Sequence, residues 1–212
     1  MTARRGAATL ALAGLAVLAV LAAVLLAGAR TLPGDTALLD LAAAVREKQA
    51  VDLVRVLTDL GSWPVAATIA VATGLVLVVR GRSAELGCLL VAAAALFLSV
   101  HAIKAGVGRA RPPDPLAGAA GRSYPSGHAA YSTVWIVAAL VLAREAPGRR
   151  ARAALIVGGV AVAGFVGASR VYLRVHYPSD VIGGWALGAA TLGAAAVAGL
   201  TVAHIRNNRQ GA

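Results

Sequence analysis

The sequence is short of charge. Only 14% of its 212 residues are charged, whereas 59% are hydrophobic, and the mean hydropathy is +0.77. A soluble domain carries roughly 25% charged residues to keep its surface solvated, so lipid is the solvent for much of this chain. Disorder is excluded by the same arithmetic, because too much apolar surface would be left bare. Negative charge is scarcest: nine Asp and Glu stand against twenty Lys and Arg, giving a formal net charge of +11. One cysteine, Cys88, permits no internal disulfide and no cysteine-based metal cluster. Lysine is nearly absent, with 2 against 18 arginines. Nucleic acid is the usual partner of so basic a chain. Here the arginines stand in short clusters between apolar runs, as membrane loops do, and no nucleic-acid partner is expected. The chain also lacks a glycine-rich phosphate loop and any internal repeat.

What it has in quantity is apolar sequence. A helix needs about 20 apolar residues to cross a bilayer. Six runs approach or reach that length: Ala7–Ala27, Pro64–Val79, Leu86–Ile103, Gly127–Ala143, Ala153–Ala168 and Val181–Ala203. They are continuously apolar rather than alternating, so they read as helices and not as barrel strands. The expectation is an all-α, polytopic membrane protein, a bundle of six transmembrane helices forming one membrane-embedded domain over residues 1–212. The first run, after Arg4 and Arg5, exceeds the roughly 7–15 residues of a signal core and reads as a retained anchor. Residues 30–63 are mixed. Leu38, Leu41, Ala42 and Val45, then Leu53, Val56, Leu57 and Leu60, recur at helical spacing among charges. That pattern suits one or two amphipathic helices, either lying on the outer membrane surface or packed on the bundle.

Basic residues in short loops orient such a bundle. With a cytoplasmic N-terminus the inner and outer segments hold equal numbers, but loops 80–85 and 144–152 carry six basic residues in fifteen positions. That density places both termini in the cytoplasm. Trp63, Tyr124, Tyr172 and Tyr177 then fall near outer span ends, where amphipathic rings prefer to sit. Gly184 and Gly188 form a GxxxG in the last run, a pattern of close helix packing.

On this arrangement, the outer ends of four spans gather polar residues that lipid would make costly. Lys104, Arg109 and Arg111 follow the third span, where Pro112 and Pro113 stop the helix. Tyr124-Pro125-Ser126-Gly127-His128 opens the fourth, Ser169 and Arg170 close the fifth, and His176 and Asp180 stand at the mouth of the sixth. Each has an ordinary use alone, as a snorkelling arginine, a turn or a hydrogen-bonded histidine. Together they describe a site. Lys104, Arg111 and Arg170 make a positive cavity for a dianion, with guanidinium forks that match phosphate oxygens. Ser126 and Gly127 start a helix, whose free N–H groups favour an anion. His176 and Asp180, four apart, share a helix face. A carboxylate on one imidazole nitrogen fixes the tautomer and leaves the other nitrogen as a nucleophile. His128 is then placed to protonate the leaving group. No carboxylate cluster exists to hold magnesium, so no metal or other cofactor is expected and the cations neutralise the transition-state charge.

The order Lys104-x6-Arg111-Pro112, Pro125-Ser126-Gly127-His128 and Ser169-Arg170-x5-His176-x3-Asp180 resembles the three-part signature of the type 2 phosphatidic acid phosphatases. That superfamily includes undecaprenyl-diphosphate phosphatases and vanadium haloperoxidases. All eleven signature positions match, within residues 104–180. The resemblance implies a six-helix core and a metal-free phosphatase working through a phosphohistidine at His176. Asp180 would be its partner and His128 the acid and later the base for water; Lys104, Arg111, Ser126, Gly127 and Arg170 would bind phosphate. It implies a bacterial inner-membrane enzyme with an extracytoplasmic site, acting on a lipid phosphate or diphosphate among membrane lipids. Undecaprenyl diphosphate leads, followed by phosphatidate and phosphatidylglycerol phosphate. A phosphotransferase with another acceptor and a non-enzymatic lipid-phosphate or anion carrier remain alternatives. Arg109, Arg122, Arg174 and His101 lie outside the signature, and His204 has no expected role.

Overall fold

The computed structural model describes residues 2–210, and their side chains over residues 3–202. Every regular element among the described residues is helical. In order they are α1 (Thr2–Leu26), α2 (Asp35–Ala44), α3 (Lys48–Leu57), a 3-10 turn η1 (Thr58–Gly61), α4 (Trp63–Val79), α5 (Ser83–Val107), α6 (Gly127–Ser132), α7 (Val134–Ala143), α8 (Gly148–Tyr172) and α9 (Pro178–Gln210). Four stretches are long and apolar enough to cross a membrane: Ala3–Leu26, Ser83–Val107, Gly148–Tyr172 and Pro178–Val202. A fifth qualifies if Lys48–Gly61 and Trp63–Val79, bent by 46°, count as one. Gly127–Ala143 is apolar but shorter. Expected runs and observed helices coincide in their centres, while several helices run on into polar sequence. Arg149, Arg150 and Arg152, for instance, lie on α8. Arginine is a good helix former whatever its hydropathy.

Proline and glycine set the ends. Pro64 and Pro178 sit in first turns, where the missing N–H costs nothing. Gly108, at φ 65°, ends α5 in the left-handed region, which turns the chain back towards the bundle.

The last span is central. Its membrane window is 44% buried, against 6% for α5, and it packs on α1, α5, α6 and α8. Small residues make this possible. A Cβ on Gly14 of α1 would lie 2.5 Å from Ala186 O, and one on Gly193 of α9 2.6 Å from Ala11 N. Gly184 and Gly188 are used in the same way within the chain. Gly184 abuts Ser126 and Ala129, and Gly188 abuts Thr133. The GxxxG therefore seats α6 on α9. Large apolar residues such as Val79, Val91, Leu98 and Val157 point outward, as a lipid-facing surface requires.

The α2–α3 segment packs on the bundle through Leu39 and Val51, while Leu41, Val45, Leu53 and Val56 are exposed. Arg46 donates to Tyr172 O through Nε (3.1 Å) and Nη2 (2.8 Å). At the opposite end, Arg80 pairs with Glu145 (2.9 Å) and Arg144 with Glu85 (2.6 Å), joining loop 80–85 to the start of loop 144–152. One aromatic expectation is corrected. Tyr124 is 0% exposed, and its hydroxyl donates to Leu18 O at 3.1 Å, so it is a core residue and not an interfacial one. His204 lies outside the described side chains.

Candidate active site

Turn chemistry at the mouth of α9 builds the centre of the site. Tyr177 precedes the helix that Pro178 starts, and Asp180 in its first turn accepts the Tyr177 N–H at Oδ2 (2.9 Å). A carboxylate reaching back to the residue before a helix is half of a capping box. The same Oδ2 accepts Ser123 Oγ–H at 2.5 Å and lies 3.4 Å from His176 Nδ1. The i,i+4 pairing thus occurs, although His176 precedes the helix. Asp180 Oδ1 accepts from Arg109 Nη1 at 2.6 Å.

His176 is 2% exposed, and burial pushes its imidazole down to about 4. Asp180 opposes that fall, and Arg111 and Lys104 add to it. The ring is therefore neutral at pH 7, and the carboxylate favours the proton on Nδ1. Nε2 is left with its lone pair, and Arg111 Nη1 lies 3.0 Å from it.

Lys104, in the last turn of α5, and Arg111, just beyond it, also hold the chain around this histidine. Arg111 donates to Val175 O (2.7 Å), Ala120 O (2.9 Å) and Gly121 O (3.1 Å). Lys104 Nζ donates to Arg122 O (2.6 Å) and Ser123 O (3.3 Å). Arg170, in the last turn of α8, is 4% exposed. Its Nη1 donates to Thr58 Oγ1 at 3.2 Å, yet its buried Nε has no partner among the described residues. An unmatched charged donor in a buried place is costly, and an anion in the site would satisfy it. His128 lies within electrostatic reach of Arg170, His176, Arg111 and Lys104. Together with Arg170 it lines an open cavity of about 690 Å³ whose other walls include Arg55, Thr58, Asp59 and Leu116. His176 does not line it; Arg111 stands over Nε2.

Ser126 caps α6, its Oγ accepting from Ala129 N at 3.4 Å, and its own N–H donates to Asp180 O at 2.8 Å. Its hydroxyl is thus engaged in the helix start. Gly127 has room for a side chain, since a Cβ there meets nothing closer than 3.4 Å. Internal packing therefore does not require glycine at this position.

All eight expected site residues, Lys104, Arg111, Ser126, Gly127, His128, Arg170, His176 and Asp180, fall at one end of the bundle. Of those outside the signature, Arg109 enters the site through Asp180. Arg122 donates to Gly108 O at 3.0 Å and stays exposed. His101 packs against Phe97 with centroids 4.3 Å apart and the rings tilted by 41°, on an exposed face of α5. Arg174 takes a left-handed φ of 57°. Ser123, Thr58 and Asp35 are contributors the motifs do not announce. Asp35 has only a faint signal, an acid opening a helix after Pro33-Gly34. Among the described residues no group of three or more His, Cys, Asp or Glu side chains is arranged to hold a metal ion.

The fold and these residues define a helical membrane protein with a cluster of basic and histidine side chains at one end of its bundle. The sequence model of the PAP2 superfamily matches residues 85–202, more than half of the chain. The chain belongs to that superfamily. Over 90 residues it is 39% identical to phosphatidylglycerophosphatase B of Bacillus subtilis strain 168, covering 41% of this chain and 44% of that protein. The aligned stretch is thus less than half the length of that relative. The fold is similar to the crystal structure of the transmembrane PAP2-type phosphatidylglycerolphosphate phosphatase of Bacillus subtilis, with a TM-score of 0.74 and 26% identity, covering 86% of this chain and 94% of that one. It is also similar to that of Aquifex aeolicus LpxE, with a TM-score of 0.61 and 22% identity over 78% of this chain and 96% of that one, a likeness of fold.

Proposed function

We propose that this protein is a bacterial inner-membrane phosphatase that hydrolyses lipid phosphates or diphosphates without a metal, through a phosphohistidine at His176. One observation carries the reading: a buried, neutral imidazole held by a carboxylate on one side, its unprotonated Nε2 against the Arg111 guanidinium, beside a second histidine that lines an open cavity.

The incoming phosphate draws the Arg111 donor off Nε2, since a dianion is a stronger acceptor than an imidazole. Arg170, with its unmatched Nε, and Lys104 complete the cradle, and the amides at the start of α6 approach through Gly127. Nε2 attacks phosphorus, and the bond to the lipid oxygen breaks as His128 gives that oxygen a proton. Asp180 stabilises the positive ring that results. His128, now a base, takes a proton from water; the hydroxide attacks phosphorus, the P–N bond breaks, and inorganic phosphate leaves.

The Bacillus subtilis relative, similar in sequence and in fold, is a phosphatidylglycerol phosphate phosphatase, which puts that lipid beside undecaprenyl diphosphate as a leading substrate. Six crossings are part of this reading. Trp63–Val79 and Gly127–Ala143 have 17 residues each, and such a length rises about 25 Å, close to a hydrocarbon core of about 30 Å. Both termini and the basic loops 80–85 and 144–152 then lie in the cytoplasm, and the site faces outward at headgroup depth. The exposed apolar side of α2 and α3 suits the same interface.

Phosphate release by detergent-purified protein, with EDTA present, tests the function. The panel is undecaprenyl diphosphate, phosphatidate and phosphatidylglycerol phosphate, with His176→Ala as blank. Metal-free turnover that falls by on the order of 10³-fold or more in the mutant is expected. A folded wild-type protein that releases nothing from any of them would overturn it. Phosphate release without an added acceptor separates hydrolysis from transfer. A carrier would suffer from Arg170→Ala and tolerate His176→Ala.

A further inference from the structure

Arg109 is buried beside the site and wholly held by protein groups. A guanidinium has five N–H donors, and here all five are used. Nε donates to Arg30 O (3.2 Å), Nη1 to Ser179 Oγ (2.8 Å) and Asp180 Oδ1 (2.6 Å), and Nη2 to Arg30 O (3.1 Å) and Asp35 Oδ2 (2.6 Å). Its carbon lies 4.2 Å from the Tyr177 ring centroid. The side chains of Arg109, Asp35 and Asp180 are 3%, 1% and 0% exposed. Arg170 keeps a donor free; Arg109 has none to offer a phosphate without breaking a bond.

Asp35 is equally committed. Its Oδ2 accepts from Leu32 N (2.8 Å) and Ser179 Oγ (2.8 Å) besides Arg109, and its Oδ1 from Ser179 N (3.0 Å). It thereby ties the start of α2 to the first turn of α9. The consequence falls on Asp180. With Oδ1 taken by Arg109, the carboxylate cannot turn about its last bond, and Oδ2 is the oxygen presented to His176 Nδ1.

We propose that Arg109, braced by Asp35, is a positioning residue that fixes the Asp180 carboxylate and through it the His176 ring, so that the start of α2 helps to position the reacting pair. The proposal rests on the phosphohistidine reading above. A buried ion pair broken on one side leaves an unmatched charge, so gentle substitutions serve best. Arg109→Lys keeps the charge but cannot span both carboxylates, and Asp35→Asn keeps the shape and removes the brace.

The test is steady-state phosphate release by wild type, His176→Ala, Arg109→Lys, Asp35→Asn and the Arg109→Lys/Asp35→Asn double variant, with unfolding midpoints measured in the same detergent. Misplacing a reacting group by about 1 Å costs on the order of 10²-fold. Each single variant is therefore expected to lose about 10- to 100-fold in kcat with KM changed less than about threefold. The double variant should be no worse than the poorer single one, because both act through one contact. A KM increase with kcat preserved would place Arg109 on the substrate and overturn the proposal, as would wild-type kcat in both folded single variants. Loss of kcat only where the midpoint drops to the assay temperature would reduce the network to a structural one and overturn the proposal equally. A wild-type protein without turnover would overturn the function itself, and this inference with it.

Discussion

His176 shows how a residue's surroundings decide its chemistry. Its imidazole is pushed from 6.5 down to about 4, chiefly by burial, against the pull of Asp180. A group whose folded value is lowered binds fewer protons folded than unfolded, so its contribution to stability is full above about pH 6.5 and is lost as pH falls towards about 4. The unfolding midpoint of the wild type should therefore drop, relative to that of His176→Ala, between pH 6.5 and 4. Parallel midpoints across that window would show that His176 is not held neutral. His128 has a different task, and His128→Ala should lower kcat by about 10²–10⁴-fold, the usual worth of a general acid or base. A smaller loss in phosphate release would give the proton transfer to another group.

At the scale of elements, the site depends on two close contacts that hydropathy does not register. Gly184 lets α9 approach the start of α6, where a Cβ would stand 2.5 Å from Ser126 O. Gly184→Leu should displace Ser126-Gly127-His128 and remove turnover, with destabilisation of about 1–3 kcal/mol or more from overpacking. Near-wild-type activity and midpoint would show that this seat is dispensable. The other contact is η1 against α8, where Thr58 Oγ1 and Ser169 Oγ are 2.6 Å apart and Arg170 donates to Thr58. The motif residues were legible in the sequence because their chemistry is dense and their spacings are fixed. Arg109 was visible only as one more cation, and Asp35, Thr58 and Ser123 were not visible as site residues. They act through packing between segments more than 50 residues apart, and no local pattern encodes such a pairing. The span centres were equally plain as apolar runs. Their ends were less so, because helices continue through polar residues until a glycine, a proline or a cap stops them.

For the whole molecule, the central helix α9, the membrane-crossing α5 and α8 and the short Gly127–Ala143 helix all present their chemistry at one end. The partly exposed ion pairs among Arg80, Arg82, Arg144, Glu85 and Glu145 gather at the other. The proposed topology puts that second end in the cytoplasm, so a reporter fused to the C-terminus should read as cytoplasmic; an extracytoplasmic reading would invert the bundle and its site. On the proposed mechanism, His176 carries the phosphoryl group. A lipid diphosphate makes this directly visible, because its leaving group is a phosphate, which needs a proton less than an alkoxide does, while the attacking water still needs a base. His128→Ala protein mixed with a lipid diphosphate, quenched and digested, should therefore yield the His176 peptide carrying a phosphoryl group, stable to base and labile to acid. Continued phosphate release with no phosphorylated peptide, or a phosphoryl group on another residue, would rule out a phosphohistidine at His176.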